Sequence, residues 1–230
     1  MLMSLYQCQL TQLDLSEIKR YAGLQTSEFS AERLQAAADS IILTAQPRAT
    51  WQLYAYDSAT ATVQATKPYH LPGRSISRHL AGAEQIIFVA VTIGEAAEAA
   101  ITRQFQQGEY TAAVLMDAAA TTAVEAAADQ LERTLRAQFN PQGYKLTPRF
   151  SPGYGDWALT EQQTVLPLTG GNALGITLTE AFMLLPRKSI TAVIGLIPNT
   201  GSPAKKTVPA DSCSTCQKID CPARKHPVQP

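Results

Sequence analysis

The sequence has neither an excess of one charge nor a long apolar run. Lys and Arg together number 19, as do Asp and Glu, so the formal net charge at pH 7 is +0. Such a balance gives no long-range field that would attract nucleic acid or an anionic membrane. The most apolar run, residues 86–93 (IIFVAVTI), is far shorter than the roughly 20 residues that a membrane-spanning helix needs. We therefore expect neither a nucleic-acid nor a membrane partner.

The sequence also lacks the pattern of a secretory signal at its N-terminal segment. The N-terminal segment MLMSLYQCQLTQLDLSE has no basic stretch leading into an apolar one. The chain has 230 residues, of which 45% are hydrophobic and 17% charged, and it is long enough to bury a substantial core. We expect a soluble cytoplasmic protein.

Cysteine is scarce and unevenly placed. Cys8 lies in the first segment, whereas Cys213, Cys216 and Cys221 crowd into the last residues beside His226. This clustering is not typical of a secreted disulfide framework and favours a metal or redox site. The four C-terminal residues have the spacing of a zinc knuckle with the last two ligand types exchanged. Three thiolates could alternatively hold an iron–sulfur cluster with another ligand, for which Cys8 is one candidate, and reduced thiols in a disordered tail are a third possibility.

Hydrophobic periodicity predicts an alternation of helices and strands in the first half of the chain. Ser30 is suited to cap a helix that Pro47 closes, and apolar residues alternate with polar ones around Trp51. The predicted elements are an edge strand at residues 8–15, a helix at 16–21, a helix from Ser30 to Pro47, and a hairpin with strands at 51–56 and 60–65. A loop at residues 71–80 then enters a short helix.

The second half predicts a buried strand and a long helix. Residues 86–93 suit a strand covered on both faces, and Gly94 separates it from a helix at 95–106 that Gly108 ends. The longest helix covers residues 111–138, where abundant Ala favours helix and allows close packing. Further predictions are a helix at 159–166 and strands at 176–179 and 190–196.

Composition changes beyond Ile197, where proline becomes frequent beside small and polar residues. This shift predicts one domain at residues 1–197 and a flexible tail at 198–230. We expect an α/β (α+β) fold with a twisted, mostly antiparallel sheet flanked by helices.

Charges along the long helix are unevenly partnered. Glu132 can pair with Arg136, and Asp129 with Arg133, in each case four residues apart. Glu125 has no such partner, because the residue four positions on is the like-charged Asp129. Glu125 therefore either faces solvent or meets a cationic group from elsewhere in the fold.

The run RFSPGYGD, residues 149–156, combines a tight turn with polar groups. Pro152 and Gly153 suit the two corners of a type II turn, since Pro fixes φ and Gly accepts positive φ. Arg149 and Tyr154 flank this turn. The set could cradle a small zwitterion with a carboxylate, an amine and an aromatic base. A merely polar surface turn is the simpler interpretation.

Three segments together resemble one family, the activation (reactivation) domain of cobalamin-dependent methionine synthase. The first is Arg149–Tyr154, which matches the family's R-x-x-P-G-Y motif. The second is residues 178–183 (LTEAFM) with Pro186, which is similar to the family's L-T-E-S-F run that leads through a Pro into a strand. The third is the helix around Glu125, which is similar to the family helix that carries a ligand-binding acid. The resemblance extends over about residues 110–196. The first two motifs at this separation are more specific than either alone.

The resemblance implies that the domain binds S-adenosylmethionine and presents its methyl group to cobalamin. Reduction and methylation together would return an oxidised, inactive cobalamin to its active methylated form. It implies that Arg149 pairs with the carboxylate of S-adenosylmethionine. Tyr154 and the backbone of Pro152 and Gly153 would line the same pocket, and Glu125 would meet the ligand's amine or ribose. None of these residues would be a catalytic acid, base or nucleophile.

The cobalamin motif D-x-H-x-x-G is not present, because none of the three histidines has that context. The resemblance therefore implies a free-standing activation domain that acts on a separate corrinoid protein, with an electron donor such as flavodoxin. Two alternatives remain at this point. One is a non-catalytic module that docks on a corrinoid protein, and the other is an accessory protein regulated through metal or redox chemistry in the tail.

Overall fold

The computed structural model describes residues 4–26 and 28–199, in which an antiparallel sheet carries helices on both faces. The helices are α1 Leu15–Tyr21, α2 Ala31–Thr44, α3 Arg74–His79, α4 Glu95–Gln106, α5 Tyr110–Phe139 and α6 Gln162–Thr169. The strands are β1 Ser4–Gln7, β2 Arg48–Asp57, β3 Thr62–Val63, β4 Tyr69–His70, β5 Gln85–Thr92, β6 Tyr144–Leu146, β7 Thr177–Leu178, β8 Leu184–Leu185 and β9 Ser189–Pro198. Short 3-10 turns precede and follow α6.

The main sheet has the strand order β4-β3-β2-β5-β9-β6, and β1 pairs with the start of β2. All of these pairings are antiparallel. The central strand β5 is buried along almost its whole length, because helices cover both faces of the sheet. β7 and β8 form a separate hairpin.

One face of the sheet packs on α2 and α5. Side chains such as Val89 and Ile194 meet alanines of α5, among them Ala119 and Ala123, which are fully buried. Because alanine projects little from the helix, α5 lies close to the sheet along much of its length. The less buried face of α5 carries the acids described below.

The other face packs on α3, α6 and the turn at residues 149–157. Phe88 and Val193 of the sheet meet Ile76 of α3, Val165 of α6 and Trp157 of the turn, all almost fully buried. This second core fixes the turn against the sheet.

The predicted fold class is confirmed, as are the helices α1 to α6 and the buried strand β5. The predicted strand at residues 8–15 is wrong: β1 is Ser4–Gln7, and the chain leaves the sheet after it. The amide of Cys8 still bonds to the carbonyl of Pro47 at 3.3 Å. Pro47 has no amide hydrogen to return, so the ladder cannot continue.

Two further differences come from tertiary structure. At the end of β2 the buried face is not the one that carries Trp51 and Ala55, since Tyr54 and Tyr56 are buried whereas Ala55 is exposed. The pairing predicted between Asp129 and Arg133 is replaced by one between Asp129 and Arg149. The domain boundary expected after Ile197 stays a prediction, because the residues that the structure describes end at Asn199.

No helix in residues 4–26 and 28–199 is both long and apolar enough to span a bilayer.

Candidate functional site

The turn predicted from Pro152 and Gly153 forms as a type II turn. The Tyr154 amide donates to the Ser151 carbonyl at 3.1 Å, and Gly153 at the second corner has φ +95°. A second turn follows at once, in which the Trp157 amide donates to the Tyr154 carbonyl at 3.0 Å. The two turns project the Tyr154 side chain outward, where 59% of it is exposed.

Phe150 ties the start of this segment to the sheet. Its amide and carbonyl exchange hydrogen bonds with Val193 of β9, at 3.0 and 2.8 Å. Its ring stacks on Trp157 at a centroid distance of 6.1 Å and meets Tyr154 edge-on at 5.9 Å. Arg149, the preceding residue, is therefore attached to a rigid core rather than to a free loop.

Helix α3 holds the same segment at two places. The Asp156 carboxylate accepts the amides of Arg74 at 2.8 Å and Ser75 at 2.9 Å. These amide hydrogen bonds lower the pKa of Asp156 to about 2. At the other end of α3, His79 Nε2 donates to the Pro148 carbonyl at 2.8 Å, since a carbonyl oxygen only accepts. Burial lowers the pKa of His79 and so favours the neutral ring.

Arg149 reaches from this segment to three carboxylates on α5. Its Nη2 lies 2.7 Å from Asp129 Oδ1 and 3.3 Å from Glu125 Oε2, and its Nη1 lies 3.1 Å from Glu132 Oε2. The three acids occupy positions i, i+4 and i+7 of one helix face. Burial opposes the charge of Arg149, but the hydrogen bond to Asp129 and the nearby carboxylates raise its pKa above the usual value. Arg149 is therefore fully charged.

Glu132 also bonds to a second arginine. Its Oε1 accepts from Arg136 Nη2 at 2.6 Å and from Arg136 Nε at 3.2 Å. Arg136 is itself anchored, because its Nη1 donates to the Leu146 carbonyl of β6 at 2.9 Å. The predicted pair of Glu132 with Arg136 is thus confirmed, and Glu132 links two guanidinium groups.

The structure brings the predicted residues Arg149 and Glu125 together, although 24 positions separate them in the sequence. Pro152, Gly153 and Tyr154 lie in the same turn segment. The phenol pKa of Tyr154 is raised because surrounding atoms displace its water and because the Glu125 carboxylate opposes its ionisation. Residues 178–183 instead form the tip of the β7–β8 hairpin, where Phe182 ends a turn with φ +61°.

Sequence reasoning did not assign Asp129 and Glu132 to this site. Their spacing from Glu125 would have placed them on its face of the helix, and that was the available signal. All three carboxylates contact Arg149, and Glu132 also contacts Arg136. The site therefore presents a guanidinium that can bind a carboxylate and, beside it, carboxylates that can bind a positive group.

Two open grooves lie elsewhere on the described surface. One of about 620 Å³ runs between α2 and the start of α5, and one of about 670 Å³ lies beside residues 11–15. Neither is lined by the turn at residues 149–157, and neither gathers the charged groups found around Arg149.

No cluster of three or more potential metal ligands occurs among residues 4–26 and 28–199. The predicted metal ligands Cys213, Cys216, Cys221 and His226 lie outside the described residues. Cys8 is described, and it is a buried free thiol whose pKa burial raises to about 11.

Comparison with known proteins finds solved structures with a similar fold. No protein-family model and no curated protein matches the chain. Among solved structures, the chain is similar to a crystal structure of the MetH reactivation domain bound to AdoHcy. The TM-score is 0.60 at 16% sequence identity, over 87% of this chain and 80% of that chain. At this identity the likeness shows a shared fold.

Proposed function

We propose that the chain binds S-adenosylmethionine at the Arg149 segment and supports reductive methylation of the cobalamin of a separate methionine synthase. The fold shared with a reactivation domain bound to AdoHcy supports the class of ligand. The R-x-x-P-G-Y motif of residues 149–154 supports the position of the site.

The observation that carries the proposal is the approach of Arg149 to Glu125 at 3.3 Å. The family resemblance assigns Arg149 to the ligand's carboxylate and Glu125 to its amine or ribose, and we propose the amine for Glu125. A zwitterionic amino acid has these two groups on neighbouring atoms, so its two partners must lie close together in the fold. The 3.3 Å separation satisfies that requirement.

The remaining groups fit the same ligand. Arg149 can bind a carboxylate bidentately through its planar fork. The carboxylates on α5 complement the ammonium and sulfonium groups, which give S-adenosylmethionine a net positive charge. The exposed Tyr154 ring offers an apolar wall beside the turn.

The chain's part in the reaction is to bind and position. Reactivation takes one electron from a donor such as flavodoxin and one methyl group from S-adenosylmethionine. The carbon–sulfur bond breaks with its electron pair left on sulfur, which yields S-adenosylhomocysteine and methylated cobalt on the partner. No proton moves in this step, so the site needs no acid or base.

A second candidate is a docking module that caps a corrinoid protein without using S-adenosylmethionine. The observation that favours it is the full occupation of Arg149 by three carboxylates. In this case Arg149 would have only a structural role. A metal-regulated or redox-regulated accessory role depends on the tail residues, which lie outside the described part of the chain.

Calorimetric titration with S-adenosylmethionine distinguishes the candidates. We expect binding to the full chain, and a loss of affinity of about 10-fold or more in Arg149→Ala, because a hydrogen bond to a charged group contributes about 1.5–3 kcal/mol. Arg149→Lys keeps the charge but not the fork and should also bind less tightly. Arg187→Ala is the matched control, since Arg187 pairs with Glu98 away from the turn.

No binding to the wild-type chain, or equal binding to Arg149→Ala, would refute the S-adenosylmethionine proposal in favour of docking alone. Copurification of a cobalamin-binding protein with a tagged chain tests the partner separately. We expect such a protein to be retained, and its absence from the purified material would contradict the partner assignment.

A further inference from the structure

The three carboxylates around Arg149 are held very differently. Glu132 is only 18% exposed and is bonded to Arg136 as well as to Arg149. Because Arg136 is fixed to the β6 backbone, Glu132 has little freedom to leave. Glu132 is therefore a permanent partner of Arg149.

Asp129 has the opposite character. Its side chain is 55% exposed, the highest value of the three acids, yet it makes the shortest bond to Arg149, at 2.7 Å. In the part of the chain that the structure describes, Asp129 forms hydrogen bonds and ion pairs with Arg149 alone. Asp129 is thus the carboxylate that can leave Arg149 at the lowest cost in free energy.

A second cation lies within reach of Asp129. Arg133 is exposed and follows one helical turn later on α5, at the i+4 spacing that favours an ion pair. Asp129 therefore has two alternative partners. A rotation of its side chain towards Arg133 would free the N–H of Arg149 Nη2 that Asp129 accepts, while Nη2 keeps its contact with Glu125 and Asp129 keeps a cationic partner.

We propose that Asp129 is an internal competitor that occupies the ligand-carboxylate position on Arg149 and moves aside when S-adenosylmethionine binds. This inference rests on the proposed function, because it assumes that Arg149 receives the ligand's carboxylate. Glu132 then keeps the guanidinium oriented, and Glu125 receives the ligand's amine. Asp129 sets the affinity of the site.

Two effects of Asp129 oppose each other. Its negative charge attracts the positive groups of the ligand, but Asp129 is exposed to solvent, where the high dielectric constant of water weakens this attraction. Asp129 also competes with the ligand, because it directly contacts the N–H donor of Arg149 that the ligand's carboxylate would use. Glu125 and Glu132 also remain to attract the cation, so competition outweighs attraction.

The test is calorimetry of Asp129→Asn with two ligands, S-adenosylmethionine and its decarboxylated analogue S-adenosylmethioninamine. We expect the variant to bind S-adenosylmethionine about 2- to 5-fold more tightly than wild type, the scale of an exposed ion pair. Its affinity for the decarboxylated analogue should be unchanged or slightly weaker. Asp117→Asn is the matched control, because Asp117 is a similarly exposed acid of α5 that pairs with Lys188, and it should change neither affinity.

The outcomes separate the two claims. Equal or weaker binding of S-adenosylmethionine to Asp129→Asn, with wild type binding and Arg149→Ala defective, would overturn the competition and leave the function standing. An equal gain for both ligands would also overturn it, since the analogue has no carboxylate. A wild-type chain that binds neither ligand would instead refute the proposed function. Because Asp129 is exposed, the variant should fold, and an unchanged Tm checks this.

Discussion

The Asp156 carboxylate accepts a hydrogen bond from the backbone amide of Ser75 at 2.9 Å, and this contact joins α3 to the segment that carries Arg149. The same carboxylate takes the amide of Arg74, so Asp156 serves as the cap of a helix to which it does not belong. Gly73, at the cap position itself, has no side chain to fill this role. The orientation of Arg149 and Tyr154 therefore depends on a helix that lies far earlier in the sequence.

Asp156 should stabilise the protein only above a certain pH. Its pKa in the folded chain is about 2, below its usual value of 3.8. A lowered carboxyl pKa contributes stability that is fully present above the unfolded value and is lost as the pH falls through the folded one. Asp156→Asn should thus have a lower Tm than wild type at pH 7, and the difference should shrink between about pH 4 and pH 2.

The control for that variant is Asp57→Asn. Asp57 likewise accepts a nearby amide, from Ala59 at 2.9 Å, but it lies at the β2–β3 turn. It should lower Tm without changing affinity for S-adenosylmethionine, whereas Asp156→Asn should weaken binding as well. A difference in Tm for Asp156→Asn that stays constant down to pH 2 would contradict the capping role.

Gly155 should not tolerate alanine. Its φ is +57°, and a Cβ atom there would lie 2.6 Å from the Ser75 hydroxyl and 2.8 Å from Ser75 Cβ. Alanine thus incurs both left-handed backbone strain and a collision with α3, together about 2–4 kcal/mol. Chemical denaturation of Gly155→Ala measures the loss in free energy of unfolding.

Gly175 separates the two causes, because its φ is +80° but no heavy atom lies within 4 Å of the position that a Cβ atom would take there. Gly175→Ala should cost only the backbone strain, about 1–2 kcal/mol. Equal losses in the two variants would show that the close approach of Gly155 to Ser75 has no energetic weight.

Cys8 should be chemically inert in the folded protein. The residue is 2% exposed, and burial raises its pKa to about 11. At pH 8 about one thiol in a thousand would be ionised even if reagent could reach it. Mass spectrometry of the Cys8 peptide after iodoacetamide treatment should show no label in the native protein and full label in guanidinium chloride. Labelling of native Cys8 at the rate of a free thiol would be inconsistent with its burial.

The metal prediction for Cys213, Cys216, Cys221 and His226 can be tested on the purified full chain. We expect one zinc ion per chain by elemental analysis, lost in Cys216→Ser, because thiolate and imidazole ligands suit zinc. Iron with an absorption band of a cluster would favour the iron–sulfur alternative instead. The absence of stoichiometric zinc or iron would remove both.

Local patterns in the sequence predicted much of the fold. The apolar run of β5 and the alanine-rich α5 have strong signals that depend only on neighbours in the chain. The Pro152–Gly153 turn was equally predictable, since both corners are set by the residues themselves. In contrast, β6 has only three residues and depends on pairing with the end of β9, so its own sequence had little to indicate it.

The candidate site was predictable only in part for the same reason. Arg149 and Glu125 could be named from a family resemblance, but the closing of the 24-residue gap between them depends on how α5 and the turn pack on the sheet. The pairing of Asp129 illustrates the limit. Spacing along the helix favoured an ion pair with Arg133, whereas in the folded chain Arg149 lies beside the Asp129 carboxylate.

The most direct test of the proposed binding site at Arg149 is a crystal structure of the chain with S-adenosylmethionine or S-adenosylhomocysteine. We predict that the ligand's carboxylate lies within hydrogen-bond distance of the Arg149 guanidinium, its amine lies beside Glu125, and Asp129 has moved off Arg149. A ligand bound in the groove between α2 and α5, or no ligand at saturating concentration, would show that Arg149 does not form the binding site.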